Sequence, residues 1–176
     1  MRCKTRVCNG NERIIYYPPG DAQGRSWSWG SCSNSCVGPG DAVILCDDVT
    51  GEWAAEVLDA GKRHVTLALR DKLRDREAVP DFWLCAALLK KPNFDLVLEK
   101  ATELGVARIQ PVLARRCVAD KLNPERAQTL VSEAAEQCAR TALPGLAGPM
   151  KLDALLAAWP EDRALFFADE QGGEPA

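Results

Sequence analysis

Residues 94–106 read FDLVLEKATELGV. Phe94, Val97, Leu98, Ala101 and Leu104 recur at helical spacing and share one face, and Gly105 stands just past them as a stop signal, so a helix is predicted over 94–104. On its polar side Asp95, Glu99 and Glu103 follow one another at i, i+4 and i+8. A row of like charges costs a helix a few tenths of a kcal/mol per pair, so the row implies cations nearby. Lys100 is placed to offset Glu103, and Lys90, Lys91 and Arg108 are further candidates. The plainer alternative is an acidic face turned to water.

On either side of this helix the pattern alternates. FWLCAALL (82–89) is a continuous apolar run, as in a strand buried on both faces, and ARIQPVLA (107–114) predicts the next strand. NPERAQTLVSEAAEQCAR (123–140) predicts a second helix, opened by Asn123 as cap and Pro124 at the first position. Its apolar face is Ala127, Leu130, Val131, Ala134 and Cys138, and Glu133, Glu136, Gln137 and Arg140 form a polar strip opposite. KLDALLAAW (151–159) repeats the helical spacing, and RALFFAD (163–169) reads as a return to strand. Strands alternating with helices imply an α/β unit with a parallel sheet.

Upstream the rhythm is β. DAVILCD (41–47), EWAAEVL (52–58) and HVTLALR (64–70) are short apolar or alternating runs separated by turn signals, as in a small barrel or sandwich. The charged run RDKLRDREAVP (70–80) reads as a linker, which divides the chain into a β unit over 1–79 and an α/β unit over 80–176. Residues 9–37 follow neither period; rich in Gly, Ser, Pro, Cys and Trp, they are expected to be atypical and poorly packed.

A chain of 176 residues with 47% apolar content has room for a real core. MRCKTRVCNGNER lacks the apolar centre of a signal peptide, and the longest apolar run is far short of the roughly 20 residues that span a bilayer. A cytoplasmic location is the expectation, with no membrane partner. The net charge of −3 provides no global footprint for nucleic acid. Any such contact must be local: Arg2, Lys4 and Arg6 alternate along one strand face, Lys90 and Lys91 follow one apolar run, and Arg115, Arg116 and Lys121 follow another.

Of the eight cysteines, Cys46, Cys85, Cys117 and Cys138 lie within or beside apolar patterns, where a free thiol behaves as a small hydrophobe. Cys3, Cys8, Cys32 and Cys36 could supply thiolates to zinc, but their spacing is not that of paired CxxC knuckles. His64 lies in an alternating stretch and reads as a strand residue rather than a ligand or base. No metal site is expected. The chain contains no GxGxxG, GxxxxGK[ST], GxSxG or HExxH pattern.

KKPNFDLVLEKATELGVARIQPVLARRC (90–117), with EAAEQCAR (133–140) and LPGL (143–146) behind it, resembles the RsmE family, methyltransferases that modify uridine at N3 in 16S ribosomal RNA. MRCKTRVC is similar to that family's basic first strand. The resemblance implies a PUA-like β domain followed by a SPOUT domain with a trefoil knot, S-adenosylmethionine as cofactor, 16S ribosomal RNA as partner, and a homodimer. It implies catalytic roles for Lys100, Glu103 and Arg140, and site-shaping roles for Gly105, Glu133 and Gln137. RNA contacts would fall to Arg2, Lys4, Arg6, Lys90, Lys91, Arg115 and Arg116. The family's GPEGG-type cofactor turn and its LGxRILRxETA-type stretch have no counterpart before Ala176. The expectation is therefore a SPOUT domain without its knot and an incomplete cofactor site, unable to methylate alone. A non-catalytic RNA-binding module and a zinc-stabilised interaction protein are the competing readings.

Overall fold

In the computed structural model, residues 7–8, 12–16, 26–27, 38–61, 65–117 and 119–168 are described, the first three segments as backbone strands only. Six strands build the first sheet: β1 (Val7–Cys8), β2 (Glu12–Tyr16), β3 (Ser26–Trp27), β4 (Ala42–Asp47), β5 (Gly51–Ala60) and β6 (Val65–Arg74). Their order is β1-β2-β4-β5-β6-β3, antiparallel except for the β2–β4 pair. Among the described strands β1 and β3 stand at opposite edges, so the sheet is open and no closed barrel forms. Val43, Leu45, Ala55, Val57, Val65 and Leu67 fill its core, each two residues from a partner on the same strand, as the two-residue period requires.

The turn between β4 and β5 is organised by Asp47, whose Oδ1 accepts the backbone N–H groups of Val49, Thr50 and Gly51 while Oδ2 accepts the Thr50 hydroxyl. Gly51 closes it at φ +104°, where a Cβ would lie 2.6 Å from Arg76 N.

The second unit alternates as its sequence predicts: β7 (Trp83–Ala87), α1 (Lys91–Leu104), β8 (Arg108–Leu113), α2 (Pro124–Cys138), β9 (Gly145–Leu146), β10 (Met150–Lys151) and α3 (Leu152–Ala157). β8 is central and all its pairings are parallel, with β7 on one side and β9 then β10 along the other. Leu84 and Ala86 turn toward α1 and α2, which pack on one face over Phe94, Leu98, Ile109, Ala127 and Val131. Trp83 points to the other face, where Trp159 meets it edge-on at 5.8 Å and the Arg108 and Arg163 guanidinium carbons lie 4.5 and 4.0 Å from its ring centre. Between β9 and β10 the ladder along β8 is interrupted, and the buried Gln110 amide donates to Gly148 O at 2.8 Å and to Pro111 O at 3.1 Å.

Several expectations need correction. Residues 163–168 form no strand, and Leu165, Phe166 and Phe167 are exposed; the apolar run alone does not supply a pairing partner. The supposed linker begins inside β6, because Arg70, Lys72 and Arg74 are strand residues that pair with Glu56, Asp75 and Glu52. Leu104, expected on the apolar face, is 81% exposed, because at 3.6 residues per turn it stands roughly 100° from the direction that Phe94, Leu98, Ala101 and Thr102 share. Cys138 is likewise exposed, whereas Cys46 is buried. The atypical segment 9–37 contributes the strands β2 and β3. The side chains of Arg2, Lys4, Arg6, Cys3, Cys8, Cys32, Cys36 and His64 lie outside the described residues.

Candidate functional site

The carboxyl edge of the parallel sheet gathers cations. β7 and β8 run in register from Trp83↔Arg108 to Ala87↔Val112, and β10 ends beside β8 at Lys151↔Leu113. Lys90 and Lys91 therefore leave this edge from β7, Arg115 and Arg116 leave it from β8, and Lys151 joins them from β10; all five are exposed. Among the described residues no carboxylate pairs with Lys90, Lys91, Arg115 or Arg116.

Local structure presents each pair. The Lys90 carbonyl accepts from Asn93 and Phe94, which starts α1, and the first turn of that helix carries no acidic residue. Its N-terminal N–H groups thus add positive potential beside Lys90 and Lys91. After β8, Cys117 folds the chain back: its Sγ accepts Ala114 N–H at 3.2 Å and donates to Val112 O at 3.5 Å, leaving Arg115 and Arg116 at the tip of the turn. That thiol reads in the sequence only as a small hydrophobe. Lys151 has no signal in the sequence either, because a lone lysine between a short strand and a short helix carries no pattern.

The second group of expected site residues lies at the other end of the unit. α1 starts at the carboxyl edge and runs 14 residues back, about 20 Å at 1.5 Å per residue. Gly105 ends it at φ +77° in a left-handed cap, with Gly105 N–H bonded to Thr102 O at 3.0 Å and Val106 N–H to Ala101 O at 3.2 Å. α2 ends the same way with Ala139 at φ 53° and Arg140 N–H bonded to Ala135 O at 3.0 Å. The two helix C-termini meet there. The Arg140 side chain lies over Gly105, with Nη1 3.4 Å from Glu103 O, a position that the negative end of a helix dipole favours.

Lys100 bonds Glu103 at 2.9 Å and pairs with Glu99 at 3.0 Å, so two of the three carboxylates in the row share one ammonium. The hydrogen bonds that the ammonium donates to Glu103, then to Glu99, hold the Lys100 pKa above its ordinary 10.5. Lys100 therefore stays protonated near neutrality and is unsuited to act as a general base. The third carboxylate, Asp95, binds Arg126 of α2 at 2.6 Å. The row is thus neither a bare acidic face nor a cluster around Lys90, Lys91 or Arg108. Glu133 is half-buried and Gln137 exposed on α2.

The chain thus separates the expected residues into a cationic carboxyl edge and a helix-terminal group of Lys100, Glu103, Gly105 and Arg140. The second group is joined to the β unit. Arg74 donates to Ala139 O; Asp48 Oδ1 accepts Leu143 N–H at 2.8 Å; and Glu77 bonds the backbone of Thr141 and Ala142 at 3.1 and 3.2 Å.

The RNA methyltransferase domain family matches residues 76–176. The chain is 31% identical over 104 residues to ribosomal RNA small subunit methyltransferase E of Rickettsia conorii, covering 59% of this chain and 43% of the relative. It is 34% identical over 117 residues to the protein of the same name from Synechocystis, covering 63% of this chain and 37% of the relative. The chain thus spans less than half the length of these relatives. Among solved structures, a Legionella pneumophila protein described as a methyltransferase in complex with bound cofactor SAM superposes with TM-score 0.70 at 24% identity, over 85% of this chain and 67% of that one. Ribosomal RNA small subunit methyltransferase E of Neisseria gonorrhoeae, bound to S-adenosyl methionine, gives 0.67 at 20% identity, over 84% of this chain and 66% of that one. The α/β fold is shared with both. By the match that begins within the β6–β7 connection and runs through all three helices, the chain belongs to the RNA methyltransferase domain family and is, over that part, an RsmE-family member.

Proposed function

We propose that this chain serves S-adenosylmethionine-dependent methylation of uridine N3 in 16S ribosomal RNA. The observation that carries the reading is the carboxyl edge of β7, β8 and β10, with Lys90, Lys91, Arg115 and Arg116 around it. Open parallel sheets take ligands outside the carboxyl ends of their strands. A helix N-terminus flanked by exposed cations suits the phosphates of RNA, which position a nucleic acid without reading its sequence. Relatives solved with the cofactor support S-adenosylmethionine as methyl donor. On this reading the β unit is PUA-like and contributes RNA contacts through Arg2, Lys4 and Arg6, and the α/β unit is of SPOUT type.

The cofactor supplies the methyl group, and the protein's tasks are to orient the uridine, accept its N3 proton and exclude water. Lys100, Glu103 and Arg140 stand a helix length from the carboxyl edge, so a single chain does not bring all expected residues to one base. A homodimer, in which one chain's helix ends approach its partner's carboxyl edge, would reunite the two groups. Glu133 and Gln137 belong to the same helix-terminal region and would shape it.

Calorimetric titration of the 176-residue chain with S-adenosylmethionine, beside a 16S ribosomal RNA binding series, tests the reading. Saturable micromolar uptake of the cofactor would establish a working cofactor site within these residues. RNA binding without uptake by a folded sample favours the second reading, a non-catalytic RNA-binding module, for which the exposed cations alone suffice. A folded sample that takes neither would overturn both.

A further inference from the structure

Glu77 lies in the connection from β6 to β7, outside every regular element, and its carboxylate is committed to one place. Its backbone N–H donates to Thr141 Oγ1 at 2.7 Å, and its Oε1 accepts the N–H groups of Thr141 and Ala142 at 3.1 and 3.2 Å. The same oxygen lies 3.2 Å from Nε of Arg140. On the other side of that arginine, Arg74 bonds the Ala139 carbonyl. The backbone around Arg140 is therefore gripped from both sides by residues of the β unit and its exit segment.

The side chain is placed by different forces. Nε is buried and, although within ion-pair distance of Glu77, has no aligned hydrogen-bond partner. Its attraction to the carboxylate is therefore one of charge rather than of a directed bond. The guanidinium fills the space a Cβ would need at Gly105, with Cζ 2.6 Å and Nη1 2.7 Å from that position. Nη1 reaches Glu103 O only at 3.4 Å. Removing the negative charge would leave a half-buried cation held by packing and one long hydrogen bond, and cations withdrawn from water without a partner are driven back toward it.

We infer that Glu77 is the positioning residue for Arg140, so that the β unit's exit segment sets where this guanidinium stands between the C-termini of α1 and α2. The inference rests on the reading above that Arg140 serves RNA recognition or modification. It supplies a physical route by which RNA held by the β unit is registered against the α/β unit: a shift of the 74–77 segment moves both the 139–142 backbone and the guanidinium charge.

The test is Glu77→Gln in the full 176-residue chain, read by the Nε–Hε NMR signal of Arg140. An amide oxygen still accepts from Thr141 and Ala142, so the clamp persists while the charge is lost. Glu77→Asp retains the charge on a shorter stem. The expected result is a displaced Nε signal and Hε exchange with water faster by roughly tenfold in Glu77→Gln, with Glu77→Asp between it and the parent. Affinity for a uridine-containing single-stranded RNA should fall about threefold in Glu77→Gln, in the same direction as Arg140→Ala. An unchanged Arg140 signal in folded Glu77→Gln overturns the inference. Should that variant fail to fold, an unchanged signal in Glu77→Asp overturns it instead. A displaced signal with Arg140→Ala leaving RNA affinity intact would uphold the positioning and refute the RNA role assigned to Arg140.

Discussion

The guanidinium of Arg140 occupies the place a side chain on Gly105 would take, with its Cζ 2.6 Å from where that Cβ would be. Gly105 also holds φ +77°, so two constraints converge on one residue. Gly105→Ala should cost about 2 kcal/mol, part from the left-handed backbone and part from displacing the guanidinium. Ala139 is the converse case, an alanine at φ 53° where glycine is favoured. Ala139→Gly should stabilise by about 1 kcal/mol. Urea unfolding of both variants checks the pair; a neutral Gly105→Ala would show that Arg140 moves aside freely.

Gln110 replaces the backbone ladder where β9 gives way to β10. Its amide is buried and donates to Gly148 O and Pro111 O. Gln110→Leu leaves the Gly148 carbonyl without this donor and should destabilise by about 1–3 kcal/mol. Thermal unfolding measures it, and an unchanged midpoint would mean that water replaces the amide.

Asp47 links stability to pH. Burial alone would raise its pKa, but hydrogen bonds from the Thr50 backbone and hydroxyl, and from the Val49 and Gly51 backbone, outweigh that and hold it below the ordinary 3.8. An acid depressed in the folded state contributes stability that is present above the unfolded-state pKa and lost as pH falls through the folded-state value. Asp47→Asn should therefore be less stable than the parent at neutral pH, with the gap narrowing below pH about 4. Denaturant midpoints from neutral to acid pH would show it, and a gap that does not change with pH would refute it.

The Asp95–Arg126 pair joins α1 to α2 at 2.6 Å with side chains 24% and 47% exposed. Exposure screens such a pair, so Asp95→Asn should cost only about 0.5 kcal/mol and lose that effect in high salt. Phe94, 1% exposed in the core beneath, should cost about 3–5 kcal/mol as Phe94→Ala. Unfolding at two salt concentrations separates these contributions, and equal losses would show that the pair is more buried than its exposure indicates.

Much of the α/β unit was legible because its signals are local. Asn123 and Pro124 start α2 where expected, with Asn123 Oδ1 accepting Arg126 N–H at 2.9 Å, and Gly105 stops α1. Leu104 is exposed because it stands at the margin of the apolar stripe, turned away from the direction in which Phe94, Leu98 and Ala101 pack. RALFFAD misled because apolar content is necessary for a buried strand and does not provide a neighbour. Apart from Lys151, the cations of the candidate site were visible as residues, but their division between two ends of α1 was not, since that depends on which direction each strand runs.

By itself the sequence determined the alternation of strand and helix, the caps, and the apolar faces that pack Phe94 and Leu98 against Ala127 and Val131. These follow from periods of two and 3.6 residues and from backbone groups that must be satisfied within a turn. Only the tertiary structure decided that Glu77 meets Thr141, that Asp48 meets Leu143, and that Arg140 lies over Gly105. Those partners stand 64, 95 and, for Arg140 with Glu103, 37 residues apart. No local period encodes such pairs: the first two form only when the two separately patterned units dock, and the third only when the ends of α1 and α2 meet, where the remaining polar groups must find one another.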